Sequence, residues 1–215
     1  MSLTITVEPH PLLDVGVFVT RITRPLVEIA VPTAITDLAQ PGANAPFSSS
    51  DAIKTAVRDL LRHGGFKPAG RSKPASEYLT GAVAEGRFPS INALVDACNV
   101  VSLHSGLPIS LVDIDRLEVG PLAIRIAPAG TTYVFNPSGQ VIDASGLVCL
   151  YDAAGPTGTP VKDAQRTKTH DDTHAAVAIV WGTNALPGRT AAVTRWYRDL
   201  VERIPSATVE DVTLA

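Results

Sequence analysis

Aromatic side chains are scarce in this chain, at 5% of 215 residues, and it holds two cysteines and a single methionine. Cys98 and Cys149 each sit in apolar surroundings with no second thiol nearby in sequence, which excludes a disulfide framework or a zinc cluster. Both read as small core residues. Long hydrophobic runs are also missing: the longest, Ala175–Trp181, is far short of the ~20 residues a membrane span needs. No basic region followed by an apolar one opens the sequence, so a soluble, cytoplasmic protein is expected. There is no Gly-x-Ser-x-Gly elbow and no glycine fingerprint after a strand, which speaks against a triad hydrolase and against a dinucleotide or phosphate-loop protein. Nor is there an overall excess of positive charge. The formal net charge of −3 does not advertise a nucleic-acid binder, because phosphate contacts draw their affinity from Lys and Arg.

What is present is a hydrophobic content of 45% without internal repeats, enough for one well-filled core and little for two. A single domain over 1–215 is expected. Leu3–Val7 and Val15–Ile22 read as strands broken by Pro9-His10-Pro11. Thr36–Ser50, rich in Ala, Pro, Gly, Asn and Ser, reads as a loop before a helix that begins after Ser50 or Asp51. Ser76 is placed to cap a short helix ending near Gly86, with Glu77 in its first turn, where a carboxylate favours the helix dipole. After the central helix described next, short period-two runs follow: Ile109–Ile114, Leu122–Ile126, Thr132–Phe135, Gln140–Ile142 and Leu147–Tyr151. With the Asn136-Pro137-Ser138-Gly139 turn they predict an antiparallel or mixed sheet. Asp152–Thr169 reads as a long loop, Ala175–Trp181 as a buried strand, and Thr190–Ile204 as an amphipathic helix packed through Val193, Trp196, Leu200 and Ile204. The expected class is α+β, a layered sandwich of mixed or antiparallel sheet with packed helices.

The most informative segment is Phe88–Gly120. Asn92, Asp96 and Asn99 recur at i, i+4 and i+7 in an otherwise apolar helix and share one face, with Ser102 following. Gly106 suits the left-handed position past the helix end and Pro108 prevents continuation. Polar groups on such a helix need partners, since a buried unpaired one costs roughly 1–3 kcal/mol. The stripe therefore either brackets the core to neighbouring backbone or lines a wet pocket.

A second pattern lies upstream. Lys54, Arg58, Arg62, Lys67, Arg71 and Lys73 face the single acid Asp59, a local excess of +5, and the first three repeat every four residues along one helical face. They form either a solvated face opposite Ile53, Val57, Leu60 and Leu61, or a track for a phosphate backbone. A third pattern, His170-Asp171-Asp172-Thr173-His174, puts His170, Asp172 and His174 on one side of an extended strand, a metal-like spacing. No further Cys or His supplies a convincing third or fourth ligand, and no metal or cofactor is expected.

The ordered set Asn92-x-x-Val95-Asp96-x-x-Asn99, Gly106-x-Pro108, Asp113-x-Asp115-x-Leu117 and Leu122–Ala127 resembles the B3/B4 domain of the phenylalanyl-tRNA synthetase beta subunit. It is more similar still to the free-standing B3/4-domain proteins, which lack the synthetase's catalytic machinery. The resemblance runs from Arg58 to Gly182 and includes Ser76-Glu77, Arg166, Thr169 and Thr173. It implies a B3/B4-like core over that span and recognition of tRNA, an aminoacyl-tRNA or an aminoacyl ligand, with deacylation of a misacylated tRNA as one activity and complete tRNA ligation excluded. A pocket formed by Asn92, Asp96, Asn99, Ser102, Ser110 and Thr173 would orient the ligand, with Ser76, Glu77 and Thr169 near it. Arg166 would bind a carboxylate or phosphate. Two departures stand out. Ser110 occupies the place of a histidine in the synthetase editing site, and Pro160–Arg166 replaces a Gly-Gly-rich segment ending in Glu. The rival reading is a binding protein or enzyme for a free amino-acid-like molecule with no RNA partner; the third is a purely structural interaction domain.

Overall fold

The computed structural model describes residues 3–215, apart from the side chain of Arg71. The strands are β1 (Thr4–Val7), β2 (Leu13–Ile22), β3 (Ile109–Asp113), β4 (Leu122–Ile126), β5 (Thr132–Val134), β6 (Val141–Asp143), β7 (Val148–Asp152), β8 (Gly155–Gly158), β9 (Ala175–Thr183), β10 (Ala207–Asp211) and β11 (Thr213–Leu214). The helices are α1 (Thr33–Thr36), α2 (Asp51–Arg62), α3 (Ala75–Ala84), α4 (Ala93–Ser105) and α5 (Arg189–Val201). A four-stranded antiparallel sheet runs β10-β2-β9-β3, and a five-stranded mixed sheet runs β11-β1-β4-β7-β8, with β1 parallel to both neighbours. The β5–β6 hairpin forms a small sheet of its own. The chain is thus one α+β domain.

Strand β9 shows why the layers stack as they do. Its residues are buried throughout, because it is covered on both faces. Ala176, Ala178 and Val180 point to the helices, packing with Leu94, Ala97, Val101 and Val193. Val177, Ile179 and Trp181 point the other way, onto Ile5, Ile124 and Leu150 of the mixed sheet. Period two divides one strand between two cores, giving a helical layer, the antiparallel sheet and the mixed sheet in that order. Small residues also set the distance of α5: a β-carbon at Gly16 would overlap the Thr194 side chain, and one at Gly182 that of Thr190.

Local expectations and structure differ in places. Pro74, not Ser76, precedes the first residue of α3, so Ser76 lies within the first turn. The segment 152–169 contains β8 and a 3-10 turn at Gln165–Thr167, and β10 and β11 follow α5. These strands exist through partners distant in sequence, β10 against β2 and β11 against β1. Within the stretch read as a loop from Thr36, Asp37–Ala39 forms a 3-10 turn.

Candidate functional site

Ser50 caps α2 by accepting a hydrogen bond from Ile53 N at 3.3 Å. Ile53, Val57, Leu60 and Leu61 bury the opposite face, which turns Lys54, Arg58 and Arg62 outward. These three do not stand free. Arg58 grips Glu77 of α3 through two bonds, Lys54 Nζ lies 4.0 Å from Glu77 Oε2, and Arg62 pairs with Asp59 at 3.0 Å. The bond to Glu77 raises the Arg58 pKa further above its ordinary value. Lys67 is exposed beyond the helix, whereas the Arg71 side chain, expected in the same basic segment, lies outside the described residues.

Between the start of α2, the first turns of α3 and Gly106 lies a cleft of about 510 Å³. Lys54, Lys73, Ser76 and Glu77 all line it, and the hydroxyls of Ser49, Ser50 and Thr80 add to its polarity. Ser76 is 5% exposed. Its hydroxyl makes no hydrogen bond among the described residues and keeps contact with solvent in the cleft. The cleft therefore gathers part of the basic segment and the Ser-Glu pair at one place.

The α4 stripe divides its labour. Asn92 caps the helix, accepting from Val95 N at 3.0 Å, while Asp96 reaches back to accept from Ile91 N at 2.8 Å and Ser90 Oγ at 2.6 Å. At the other end Ser102 donates to Leu107 O at 2.8 Å, next to Gly106 in the left-handed conformation at φ +71°. Only Asn99 keeps a half-buried side chain with no hydrogen bond among the described residues. It precedes Gly106 by two helical turns on the same face.

Ser110, Arg166 and Thr173 are committed elsewhere and neither line the cleft nor bond to the residues that do. Ser110, fully buried, accepts from Trp181 Nε1 at 2.9 Å and donates to Thr159 O at 3.0 Å. A polar residue at this strand position satisfies the indole of a buried tryptophan. Arg166 makes a forked pair with the buried Asp152 and also donates to the carbonyls of Gly155 and Pro156. Burial raises the Asp152 pKa, but the Arg166 bonds together with donation from Glu118 N and Ala154 N outweigh it, and the carboxyl is held below its ordinary range. Thr173 donates to Asp113 Oδ2 at 2.6 Å and accepts from His170 N at 2.8 Å. Thr169 is partly buried beside this turn. His170 Nε2 also lies 3.3 Å from Asp113 Oδ2, and among the described residues no group of three or more His, Cys, Asp or Glu is placed to hold a metal.

Asp163 carries a role that no local pattern announces. Its carboxylate accepts from Leu111 N at 3.0 Å and Thr159 N at 3.1 Å. Burial, the largest influence, pushes its pKa up to about 6 against these bonds. Cys98 is pushed up to about 12 by burial, so its thiol is no nucleophile at neutral pH.

A two-sheet sandwich under a helical layer, with a polar cleft where the α2 and α3 starts meet the α4 end, defines the class of module. Residues 67–213, more than half the chain, match the family model described as the B3/4 domain, and the chain belongs to that family. Among solved structures, one titled "Crystal structure of TILS C-terminal domain" aligns with a TM-score of 0.31 and 13% identity, covering 36% of this chain and 71% of that chain. No curated protein matches. Among the described residues no helix is long and apolar enough to cross a membrane.

Proposed function

We propose that this B3/4 domain recognises an aminoacyl-tRNA, or the aminoacyl group it carries, in the α2–α3 cleft. The observation that carries the reading is Ser76, whose hydroxyl makes no hydrogen bond among the described residues and meets solvent in the cleft beside Lys73 and Lys54. Lys54 and Lys73 supply positive charge for a phosphate or carboxylate. Ser76 is free to hydrogen-bond an ester carbonyl, and Arg58 holds Glu77 at the rim. Asn99 has an amide uncommitted among the described residues but does not line this cleft, to which the end of α4 contributes Gly106. Deacylation at such a site proceeds by orienting ester and water rather than through a covalent intermediate, since Cys98 and Cys149 are buried with raised pKa values.

A second reading has its own support. The cleft carries carboxylates, Asp51 and Glu77, as well as ammonium groups, a mixture that complements the two ends of a free amino acid as readily as a polyanion. The test is to incubate the purified chain with a panel of misacylated tRNAs and with free aminoacyl esters. Binding or deacylation of a misacylated tRNA that falls at least tenfold in Ser76→Ala and Lys73→Ala is the expected result. No association with any tRNA at low salt, alongside retained binding of the esters, transfers the cleft to the small-molecule reading.

A further inference from the structure

A second concavity lies at the far end of α3. It is a slot of about 230 Å³ between the segment Ile35–Pro41, the turn that closes α3, and the first turn of α4. It shares none of its lining with the α2–α3 cleft. Ile35, Ala39, Val83 and Phe88 supply its apolar wall, Thr36, Gln40 and Ser90 add polar groups, and Asp96 lines it from within, 2% exposed.

The state of that carboxylate is informative. Each oxygen takes one hydrogen bond, Oδ1 from Ile91 N and Oδ2 from Ser90 Oγ, and both donors are neutral. A carboxylate has about four acceptor sites, so capacity remains on both oxygens. Among the described residues no Lys, Arg or His lies within ion-pair distance of Asp96, although the other buried acids Asp113 and Asp152 each have a cationic or imidazole neighbour. Buried carboxylates are ordinarily paired with a positive group. Here two neutral donors and the positive end of α4 hold the carboxylate, with no cation from the described residues beside it, and it borders the slot.

We propose that the slot binds a small organic cation, with an ammonium group against Asp96 and an aliphatic body along Ile35, Val83 and Phe88. The volume is below the ~300–1,000 Å³ of drug-sized sites, which limits the occupant to a few heavy atoms. Phe88 adds a ring at the wall, and an aromatic face attracts a cation. The site is independent of the ligand in the α2–α3 cleft, so either can fail without the other.

The test titrates the full chain with n-butylammonium and with its neutral counterpart 1-butanol, following the backbone amide resonances of Ile91 and Gln40. The expected result is saturable shifts at these positions, with the cation binding at least about tenfold tighter than the alcohol, as a charge-assisted bond requires. Asp96→Asn keeps an acceptor for Ile91 N and should erase that preference. Ala39→Leu, which fills the slot and leaves the α4 cap intact, should weaken both probes. Equal affinity for the two probes, shifts confined to other regions, or undiminished cation binding in Asp96→Asn would overturn the proposal. Should Asp96→Asn fail to fold, undiminished binding in Ala39→Leu overturns it equally.

Discussion

The Arg58 guanidinium holds both carboxylate oxygens of Glu77, Nε to Oε1 at 2.8 Å and Nη2 to Oε2 at 2.7 Å. Nineteen residues separate the two in sequence, and the pair ties α2 to α3 across one wall of the cleft. A residue that reads from its helical spacing as a phosphate contact is thereby a positioning residue for its neighbours.

Replacing Arg58 by Ala should lower stability by about 1–3 kcal/mol, the usual cost of losing hydrogen bonds to a charged group. The side chains of Arg58 and Glu77 are only 24% and 13% exposed, so solvent screens the pair weakly. Arg58→Lys should recover less than half of the loss, because an ammonium cannot reproduce the fork. Urea midpoints of the three proteins decide the matter; a Lys variant equal to wild type would contradict it.

Asp152 depends on Arg166 in the same way but inside the fold. Arg166→Met should cost roughly 3 kcal/mol, at the low end for breaking a buried pair, because the Arg166 side chain is 34% exposed while that of Asp152 is fully covered. The folded pKa of Asp152 is depressed, so its contribution is present above the unfolded value of ~3.9 and is lost as pH falls through the folded value. Stability measured between pH 5 and pH 2, roughly the range over which such a carboxylate titrates, should fall less steeply in Arg166→Met than in wild type.

Gly182→Ala should destabilise the domain by about 1–3 kcal/mol through overpacking, since the added methyl meets Thr190 Oγ1 and the backbone of Asp14. Thr190→Ala on its own should cost little, because that buried hydroxyl has no hydrogen-bond partner among the described residues. The double variant should regain part of the loss. Strict additivity of the two thermal midpoint shifts would show that α5 is not seated on this glycine.

A pH response should come from His10. Its Nδ1 accepts hydrogen bonds from Leu12 N and Leu13 N, at 3.1 and 3.0 Å, and its ring meets that of His63 edge-on at 4.7 Å. Burial first, then His63, lowers its pKa. The neutral form is the one the fold favours, so its stabilisation is full above the unfolded value of ~6.5 and declines as pH drops below it. In His10→Gln the loss of stability between about pH 7 and pH 5 should shrink, and chemical denaturation at the two ends of that interval measures it. An unchanged slope would remove His10 from the account.

Much of the fold was legible because its signals are local. Asn92 before the apolar run, Gly106 after it and Pro108 beyond set the limits of α4, and Ala175–Trp181 announced a strand covered on both faces. The site was less legible. Ser110 looked like a ligand contact, yet whether a hydroxyl faces a cavity or a tryptophan indole depends on Trp181, seventy-one residues away. Arg166 was read from its resemblance, and nothing near it in sequence revealed that Asp152 would occupy it. Glu77 was placed correctly in a first helical turn and Ser76 was expected as the cap though Pro74 holds that position, and their meeting with Lys54 and Lys73 required the packing of α3 on the end of α4. Asp163 offered no signal, because its partners are backbone amides of Leu111 and Thr159.

That carboxylate has a bearing on how the molecule keeps to itself. Strand β3 is the last of its sheet, and a bare margin there would invite pairing with another chain. Asp163 occupies Leu111 N, and Lys168 bridges to Val112, so the hydrogen-bonding row is already spoken for. At the opposite margin β10 carries Glu210 and Asp211, paired with Arg21 and Arg198. Growth of the four-stranded sheet by strand addition is opposed at both sides, by a filled ladder on one and by charge on the other, which protects this β-rich domain from edge-to-edge aggregation.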